Sequence, residues 1–306
     1  MKNLIFALLI ISLASCETAI SPKLPRDGNG LVVYSFFRPD APITIDIFET
    51  TPILSAESPQ RSTGLIIDLF ENNNLIESIG VNAQGNYISQ LIPSVDKTYR
   101  FEFDRSGKTF SASNHVPAKV LINEVKLTRI IQNINFGEYG YPATLSFSDP
   151  ANQANFYAIE VWVQSCEQGC DETAVSGQLN ELLVEDIKVE TSGNVDINLG
   201  AGPEGIDGIP YFYFTDNGFD GETFEVDLFL IPTILDFEIP QNVTIKFVLK
   251  SISTDYYDYL ITSDYQQQIE EEEGFSEPVQ ISSNIQNGLG VFASYNYDIY
   301  SVRIND

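Results

Sequence analysis

The chain has 306 residues, 43% hydrophobic and 12% aromatic, which is enough apolar material to build packed cores and to exclude a disordered protein. The formal net charge is −27, from 43 acidic and 16 basic residues. Because a field of this sign repels phosphate backbones, it excludes nucleic acid as a partner. It favours cationic ligands, divalent ions or basic partner patches, unless it serves only solubility.

The first sixteen residues are typical of a bacterial lipoprotein signal peptide, with a plain secretory signal as the alternative. Lys2 is basic, residues 4–11 are an unbroken apolar run, and two small residues precede Cys16. We expect a peptidase to remove residues 1–15 and acyl chains such as palmitate to be attached to Cys16. No later apolar run approaches the ~20 residues of a membrane helix, so these chains would be the only anchor to the lipid bilayer.

Residues 16–30 contain proline, glycine and polar side chains and predict a short tether. Seven short apolar or alternating segments then predict strands, at 31–37, 43–48, 65–70, 75–81, 87–91, 98–103 and 109–112. Polar turns separate them and no helical period intervenes. This pattern predicts an N-terminal β-sandwich of the immunoglobulin or transthyretin kind over residues 31–117, with Pro117 at the boundary.

Residues 118–306 predict a larger β domain that contains one helix. Strands are expected at 120–131, 143–147, 156–164, 211–214, 223–230, 243–249 and 291–293, and residues 199–210 are a glycine-rich loop. Ser253 or Thr254 can cap a helix near 254–270, whose stripe of Tyr257, Leu260, Ile261, Tyr265 and Ile269 should pack on a sheet. The predicted fold class is therefore mainly β, a two-domain β-sandwich.

Cysteine and histidine usage argues against a catalytic centre. Export would place Cys166 and Cys170 in an oxidising compartment, where we expect a disulfide across this small loop. Two thiolates do not complete a zinc site, and His115, the only histidine, is far away in sequence. No nucleophile motif accompanies His115, so the sequence predicts no enzyme.

One acidic loop partly matches calcium-binding spacing. Asp216 and Asp220 occupy the first and fifth positions, Gly221 occupies the sixth, and Asp227 occupies the twelfth. Gly218 stands where a ligand oxygen is needed, Asp227 replaces a longer glutamate, and the flanks read as strands. A hairpin turn is therefore favoured, and calcium is possible but not favoured; no other cofactor is expected.

Three aromatic residues are candidates for ligand binding. Trp162 lies on the strand face opposite Ile159 and Val161, either as an exposed platform or in a strand that is buried on both faces. Tyr139 and Tyr141 lie among glycines and Pro142, as an exposed loop pair or in ordinary loop packing.

Three motifs in fixed order carry a family resemblance. They are Phe147-Ser-Asp-Pro150 with Asn155-Phe-Tyr157, the segment 251–260 with 275–279, and Ser283-Asn-Ile-Gln-Asn-Gly-Leu-Gly-Val-Phe292. The chain resembles a family of Bacteroidota lipoproteins known as domain of unknown function four-two-four-nine. The resemblance implies outer-membrane location and association with TonB-dependent receptor systems, and it supplies no catalytic residues.

The motif residues themselves have structural roles to predict. Asp149-Pro150 should end a strand and begin a turn, and Asn287-Gly288 suits a tight hairpin turn that needs positive φ. Gly290 should allow a close approach of backbone or ring.

These observations predict a lipid-anchored, non-enzymatic protein of the outer membrane, on its periplasmic or its external face. It would capture a ligand or serve as an accessory of a TonB-dependent transporter. The alternative is a structural or adhesive surface protein, and a surface hydrolase is less favoured.

Overall fold

A computed structural model describes residues 30–51, 58–128, 131–132, 139–165, 186–190, 198–200, 211–231, 243–271 and 279–304. The predicted signal peptide, Cys16, the tether up to residue 29, and the Cys166–Cys170 loop lie outside the described residues.

The described residues form seventeen strands and one helix. In chain order these are β1 (Leu31–Phe37), β2 (Thr44–Glu49), β3 (Ile66–Glu71), β4 (Asn74–Gly80), β5 (Tyr87–Ile88), β6 (Thr98–Arg105), β7 (Lys108–His115), β8 (Ile122–Leu127), β9 (Ile131–Gln132), β10 (Tyr139–Ser148), β11 (Phe156–Ser165), β12 (Asp186–Glu190), β13 (Asn198–Gly200), β14 (Tyr211–Thr215), β15 (Thr223–Ile231), β16 (Val243–Ile252), α1 (Thr254–Glu271) and β17 (Leu289–Ile304).

Two sandwiches share one long sheet. The long sheet has eight strands in the order β13-β14-β11-β16-β17-β1-β2-β5. Its β1-β2-β5 end packs on a four-stranded sheet, β4-β3-β6-β7, and its β11-β14-β16 end packs on a five-stranded sheet, β12-β15-β10-β8 with β9 beside β10. The predicted fold class, a mainly β chain with sandwich architecture, is confirmed.

Alternation of apolar residues builds the N-terminal core, which lies between the four-stranded sheet and β1, β2 and β5. On β6 the side chains of Tyr99, Phe101 and Phe103 are buried, as their spacing predicts, while Arg100 and Glu102 on the other face are half-buried. The C-terminal core is built in the same way from β10, β11, β14, β15 and β16.

The N-terminal core also contains residues from the far end of the chain. Phe292 is fully buried there, with its ring centroid 4.7 Å from Phe37 and 5.1 Å from Phe101. Ile285 belongs to the same core. The boundary predicted at residue 117 stays a prediction; residues 31–116 supply most of this core, and β17 completes it.

Strand β17 joins the two sandwiches. Residues 289–294 pair in parallel with β1, and residues 295–304 pair antiparallel with β16. Only residues 291–293 were predicted as a strand. The remaining residues of β17 show no apolar alternation, because polar residues among them face inward. The Asn296 amide donates to the carbonyl of Pro117 (3.2 Å), and Asp298 accepts from the backbone of Ile122 (3.0 Å).

Gly290 confirms the predicted close approach. Its φ is +100°, and a Cβ at this position would lie 2.1 Å from the carbonyl oxygen of Val33 on β1. Asn287 has the predicted positive φ, 61°, but its turn does not close a hairpin between paired strands. Instead Gln286 and Asn287 bind β7 through the backbone of Ser111 (2.8 Å) and the carbonyl of Thr109 (2.8 Å).

Helix α1 lies on the outer face of the long sheet and begins after Ser253, whose hydroxyl accepts from the amide of Tyr256 (3.3 Å). The predicted apolar stripe is wrong in part. Tyr256, Tyr259 and Leu260 are buried against the sheet, whereas Ile261 and Tyr265 are exposed. Because the large tyrosine rings pack on the sheet, the buried face of α1 is shifted by about one residue from the face that its aliphatic residues predict.

Other predicted strands changed length. The strand expected at 120–131 is β8, which stops at Leu127 because its partner in the next position is Pro142, which has no N–H to donate. The strand expected at 87–91 has only two residues, and β12 and β13 were not predicted. These elements are short, and β13 begins at Asn198 and ends at Gly200, inside the predicted glycine-rich loop 199–210.

Candidate functional site

Two loops cross between the sheets of the C-terminal sandwich at the same end. One joins β10 to β11 and the other joins β14 to β15, and in each case the two strands belong to different sheets. The prediction of a hairpin at residues 216–221 is therefore wrong, since β14 and β15 do not pair with each other. Phe219 anchors this second loop by inserting into the core, where its ring stacks on Phe224 at 4.1 Å.

Asp149 ties the two loops together. One carboxylate oxygen accepts from the buried hydroxyl of Tyr157 and from the amide of Asn155 (3.2 Å). The other accepts from the backbone of Gly221 in the second loop (2.8 Å). The pKa of the Tyr157 phenol is raised, first by burial and then by its hydrogen bond to Asp149.

Asp216 and Asp220 complete this arrangement, which we call the aspartate cluster. Asp216 is buried and accepts from the backbone of Asn155 (2.9 Å), while exposed Asp220 accepts from the backbone of Asn152 (2.8 Å). Burial raises the pKa of Asp216, and the nearby carboxylates raise it further, against the hydrogen bonds from Asn155.

The predicted calcium ligands are only partly brought together. One ligand oxygen from each of Asp149, Asp216 and Asp220 lies within 4.8 Å of the others, but Asp227 lies on β15, where it accepts from Thr144 (2.7 Å). Calcium takes six to eight oxygen ligands. The hydrogen bonds that these carboxylates accept come from both loops, so the cluster's evident role is to fasten the loops. Asp149 was missed as a cluster member, although Asp-Pro after a strand marks a loop.

A cleft of about 420 Å³ opens beside the first of these loops, a volume within the usual range for small-molecule pockets. Four segments line it: the β6 entry at 96–98, the β7 end and linker at 113–120, the loop 150–156, and the start of α1 at 251–255. The cleft thus lies between the two sandwiches, and sequence reasoning did not find it.

Buried hydrogen bonds hold the cleft walls. The Asn114 amide donates to Asp255 in the first turn of α1 (2.6 Å), and its oxygen accepts from the backbone and the hydroxyl of Ser294 on β17 (2.9 and 2.6 Å). Asn114 and Ser294 are both buried. Three separate elements are therefore fixed at one point, which makes the cleft a pre-formed feature of the fold.

His115 lies at the mouth of the cleft between a hydroxyl and a carboxylate. Its Nδ1 is 3.3 Å from the hydroxyl of Thr98, and its Nε2 is 4.0 Å from Asp96. The imidazole side chain is 58% exposed and that of Asp96 is 74% exposed, so water screens this row. A nucleophile triad instead holds its base by a direct hydrogen bond from a buried carboxylate.

Trp162 lies half-buried on the outer face of the long sheet, opposite the core-facing Ile159 and Val161, as its spacing predicts. Its indole N–H donates to Glu160 (3.2 Å), which forms an ion pair with the buried Lys250. Burial opposes the charge on Lys250, but Glu160 and neighbouring tyrosines outweigh it and raise the lysine pKa. The half-buried Trp162 indole is thus tied to this ion pair through Glu160, and its role in ligand binding stays a prediction.

Tyr139 and Tyr141 lie on strand β10, not on a loop as expected. Tyr141 is half-buried against the C-terminal core, and this burial raises the pKa of its phenol. The side chain of Tyr139 lies outside the described residues. Cys16, Cys166 and Cys170 do so as well. Among the described residues, no helix combines the length and the hydropathy needed to cross a membrane.

A family model matches residues 17–301, and its description is domain of unknown function, DUF4249. The chain belongs to the DUF4249 family. The resemblance drawn from its three motifs is thereby confirmed. No curated protein matches it.

Three solved structures resemble this DUF4249 chain weakly. A Corynebacterium diphtheriae protein described as membrane anchored is 13% identical, with a TM-score of 0.22 and coverage of 74% of this chain and 55% of the other. The full-length major pilin SpaD of the same organism is 10% identical, with a TM-score of 0.23 and coverage of 90% and 65%. The yeast delta-COP-I mu-homology domain, complexed with a Dsl1 peptide, is 8% identical, with a TM-score of 0.22 and coverage of 89% and 96%. The chain thus spans less than two thirds of the first two, and at these TM-scores the likenesses carry no argument about function.

The three motifs of this DUF4249 chain lie around the cleft and at the start of β17. Asp149 belongs to the aspartate cluster and Asn155 donates to it, and Pro150 and Asn155 also line the cleft. Ser251, at the end of β16, and Asp255, in the first turn of α1, line it as well. The third motif, 283–292, docks the start of β17 on β7 and β1.

Proposed function

We propose that this protein is an outer-membrane lipoprotein, anchored through Cys16, that captures a small ligand in the cleft and serves a TonB-dependent transporter without catalysing a reaction. The cleft is the observation that carries ligand capture, because its volume suits a small molecule and its walls are fixed before any ligand arrives. The signal sequence supports the anchor, and the family resemblance supports the transporter.

Gentle solubilisation of outer membranes tests the association with a transporter. The acylated protein, isolated with its neighbours, should bring a TonB-dependent receptor with it, and a Cys16→Ser variant should be lost from the membrane fraction. Intact-mass measurement should show acyl chains on Cys16. An uncut and unmodified amino terminus would end the proposal.

A hydrolase is the second candidate, favoured by the row of Thr98, His115 and Asp96 at the cleft mouth. Turnover of a glycan or peptide ester that disappears in both Thr98→Val and His115→Ala would establish it. The exposed row and the 4.0 Å gap to Asp96 favour binding over this chemistry.

The alternative of an adhesive surface protein has a different observation behind it. Ile66 on β3 and Leu75 on the edge strand β4 are 63% and 56% exposed, outside the N-terminal core. If Leu75→Lys abolished attachment of cells to a surface while leaving transport unchanged, the adhesive role would replace ligand capture.

A further inference from the structure

The sequence has three Asn-Gly pairs, at residues 29–30, 217–218 and 287–288. Such a pair is chemically reactive, because glycine has no side chain to hinder its backbone nitrogen from attacking the amide of the preceding asparagine. Asn29 lies outside the described residues. The other two pairs lie in loops, one after β14 and one before β17, and their hydrogen bonding differs.

The pair before β17 is hydrogen-bonded at both of the groups that would react. The side-chain amide of Asn287 donates to the carbonyl of Thr109 (2.8 Å). The N–H of Gly288 donates to the carbonyl of Ile285 (3.3 Å). The leaving amide and the attacking nitrogen are therefore both engaged with other partners, and a reaction between them must first break these two bonds.

The pair after β14 is open at both groups. Asn217 and Gly218 are exposed. Among the described residues, neither the side-chain amide of Asn217 nor the N–H of Gly218 has a hydrogen-bond partner. The backbone N–H of Asn217 does donate, to the hydroxyl of Thr215 (3.3 Å), but this group takes no part in the attack. No hydrogen bond within the described residues therefore has to break at either reacting group.

We propose that Asn217 is a site of spontaneous deamidation through the backbone nitrogen of Gly218. That nitrogen loses its proton and bonds to the Cγ of Asn217, the Cγ–Nδ2 bond breaks, and ammonia leaves with the proton, which forms a succinimide ring. Water then opens the ring at either carbonyl. Attack at Cγ gives aspartate, and attack at the backbone carbonyl gives isoaspartate, in which the main chain runs through Cβ and Cγ.

The reaction would alter the loop that Phe219 anchors in the core. The N–H of Phe219 donates to the carbonyl of Asp216 (3.0 Å), so Asn217 and Gly218 lie inside this turn. Isoaspartate would add a methylene to the main chain of the turn. Either product would also add a carboxylate beside Asp216, in the loop that already carries Asp220. Deamidation should therefore loosen the aspartate cluster.

Peptide mapping by mass spectrometry tests the proposal on the purified full-length protein, aged at mildly alkaline pH. The peptide that contains Asn217 should gain about 1 Da. It should do so at least about tenfold faster than the peptide that contains Asn287, where two hydrogen bonds must break first. In concentrated urea, where the fold protects neither pair, the two rates should be similar. Equal rates in the folded protein, or no reaction there at Asn217, would overturn the proposal.

Asn217→Gln is the matched control, because the same attack on the longer side chain would form a larger ring and is slower. This variant should show no mass gain at position 217, while Asn287 behaves as in the wild type. Isoaspartyl methyltransferase, which methylates isoaspartate and not aspartate, should label the aged wild type and not the variant. Equal labelling of both would place the modification elsewhere and overturn the assignment.

Thermal unfolding tests the effect on the loop. The aged wild type should melt below the fresh protein and below Asn217→Asp, because that variant adds the charge without lengthening the turn. An aged protein that melts like the fresh one would overturn the loosening of the aspartate cluster. The reaction needs neither a ligand nor a transporter, so its failure would leave the proposed function as it stands.

Discussion

The two sandwiches differ in how they complete their cores. Among the described residues, the C-terminal core is assembled from strands between residues 122 and 249, with Tyr300 and Val302 packing on it from β17. The N-terminal core has strands from residues 31–115 and still needs fully buried Phe292 from β17. The C-terminal sandwich is therefore largely self-contained, whereas the N-terminal sandwich depends on β17, which begins about 250 residues after β1.

The largest expected effect tests this dependence. Phe292→Ala removes a ring that contacts Phe37 and Phe101, and should lower the free energy of unfolding by about 3–5 kcal/mol. Hydrogen exchange followed by mass spectrometry should show the loss first in β6 and only later in β14. Leu289→Ala, at a position that is 49% exposed, is the control. Equal loss of protection in both sandwiches would show that they unfold as one unit.

Gly290→Ala tests the pairing of β1 with β17 through the backbone. A Cβ would meet the Val33 carbonyl at 2.1 Å and force alanine into φ near +100°, so we expect a cost of about 2–5 kcal/mol. Gly64→Ala has a similar φ strain, at +82°, with nothing within 4 Å, and should cost only about 1–2 kcal/mol. Urea unfolding of both variants separates the clash from the strain. Similar midpoints would mean that β1 and β17 do not pack as closely as described.

Tyr157→Phe probes the C-terminal sandwich at the aspartate cluster. The variant keeps the ring and removes a donor to Asp149, which should cost about 1–2 kcal/mol. Tyr265→Phe, on the exposed side of α1, should change stability by less than about 0.5 kcal/mol. Thermal unfolding measures both. An unchanged Tyr157→Phe protein would show that the bond from Tyr157 to Asp149 contributes nothing, which would leave Gly221 and Asn155 as the partners through which Asp149 fastens the loops.

The raised pKa of Asp216 gives a pH dependence with a definite sign. Below the model-compound value of 3.8 this carboxyl is protonated in both folded and unfolded chains. As pH rises through the higher folded-state pKa, the folded chain gives up stability, because it holds the proton more tightly than the unfolded chain. Asp216→Asn should therefore gain stability relative to wild type as pH rises from about 4 toward neutrality.

Urea titrations from pH 3 to pH 7 check this sign. Glu222→Gln, which removes an exposed acid from the same loop, serves as the control. A stability difference that shrinks with rising pH would show that Asn155 favours the charged form more strongly than burial opposes it.

The smallest effect is expected from calcium. A site filled at one hundred times its dissociation constant would stabilise the fold by about 2.7 kcal/mol. Because the cluster's carboxylates already accept hydrogen bonds, we expect 1 mM calcium to leave the melting temperature of the chelator-treated protein unchanged. A rise that Asp149→Asn abolishes would make the aspartate cluster an ion site.

Sequence reasoning succeeded where one strand face is buried and the other is wet. The alternation in β6 and β15 gives both the strand and its buried face, since side chains alternate with period two. It failed on β17, where Asn296 and Asp298 face inward to bind the linker between the sandwiches. Their partners lie about 180 residues away in the chain, and a local hydrophobic pattern does not predict such distant contacts.

The candidate site was predicted less well than the fold. Asp216 and Asp220 were identified through their spacing, but Asp149, from a different loop, was not. The cleft depends on Asn114, Ser251 and Asp255, which are ordinary residue types until three elements converge. Distant pairings of this kind are set by topology, so single-sequence patterns identify loops better than they identify what the loops enclose.

The parallel pairing of β1 with β17 has a consequence for how the protein is made. Residues 31–37 of β1 and residues 289–294 of β17 are about 250 residues apart, so the edge of β1 stays uncovered until the far end of the exported chain has folded. During that interval the apolar side of Leu31, Val33 and Phe37 has no finished core to enter. An uncovered edge of this kind can pair with other chains, and docking of the sixteen-residue strand β17 is the event that closes both sandwiches.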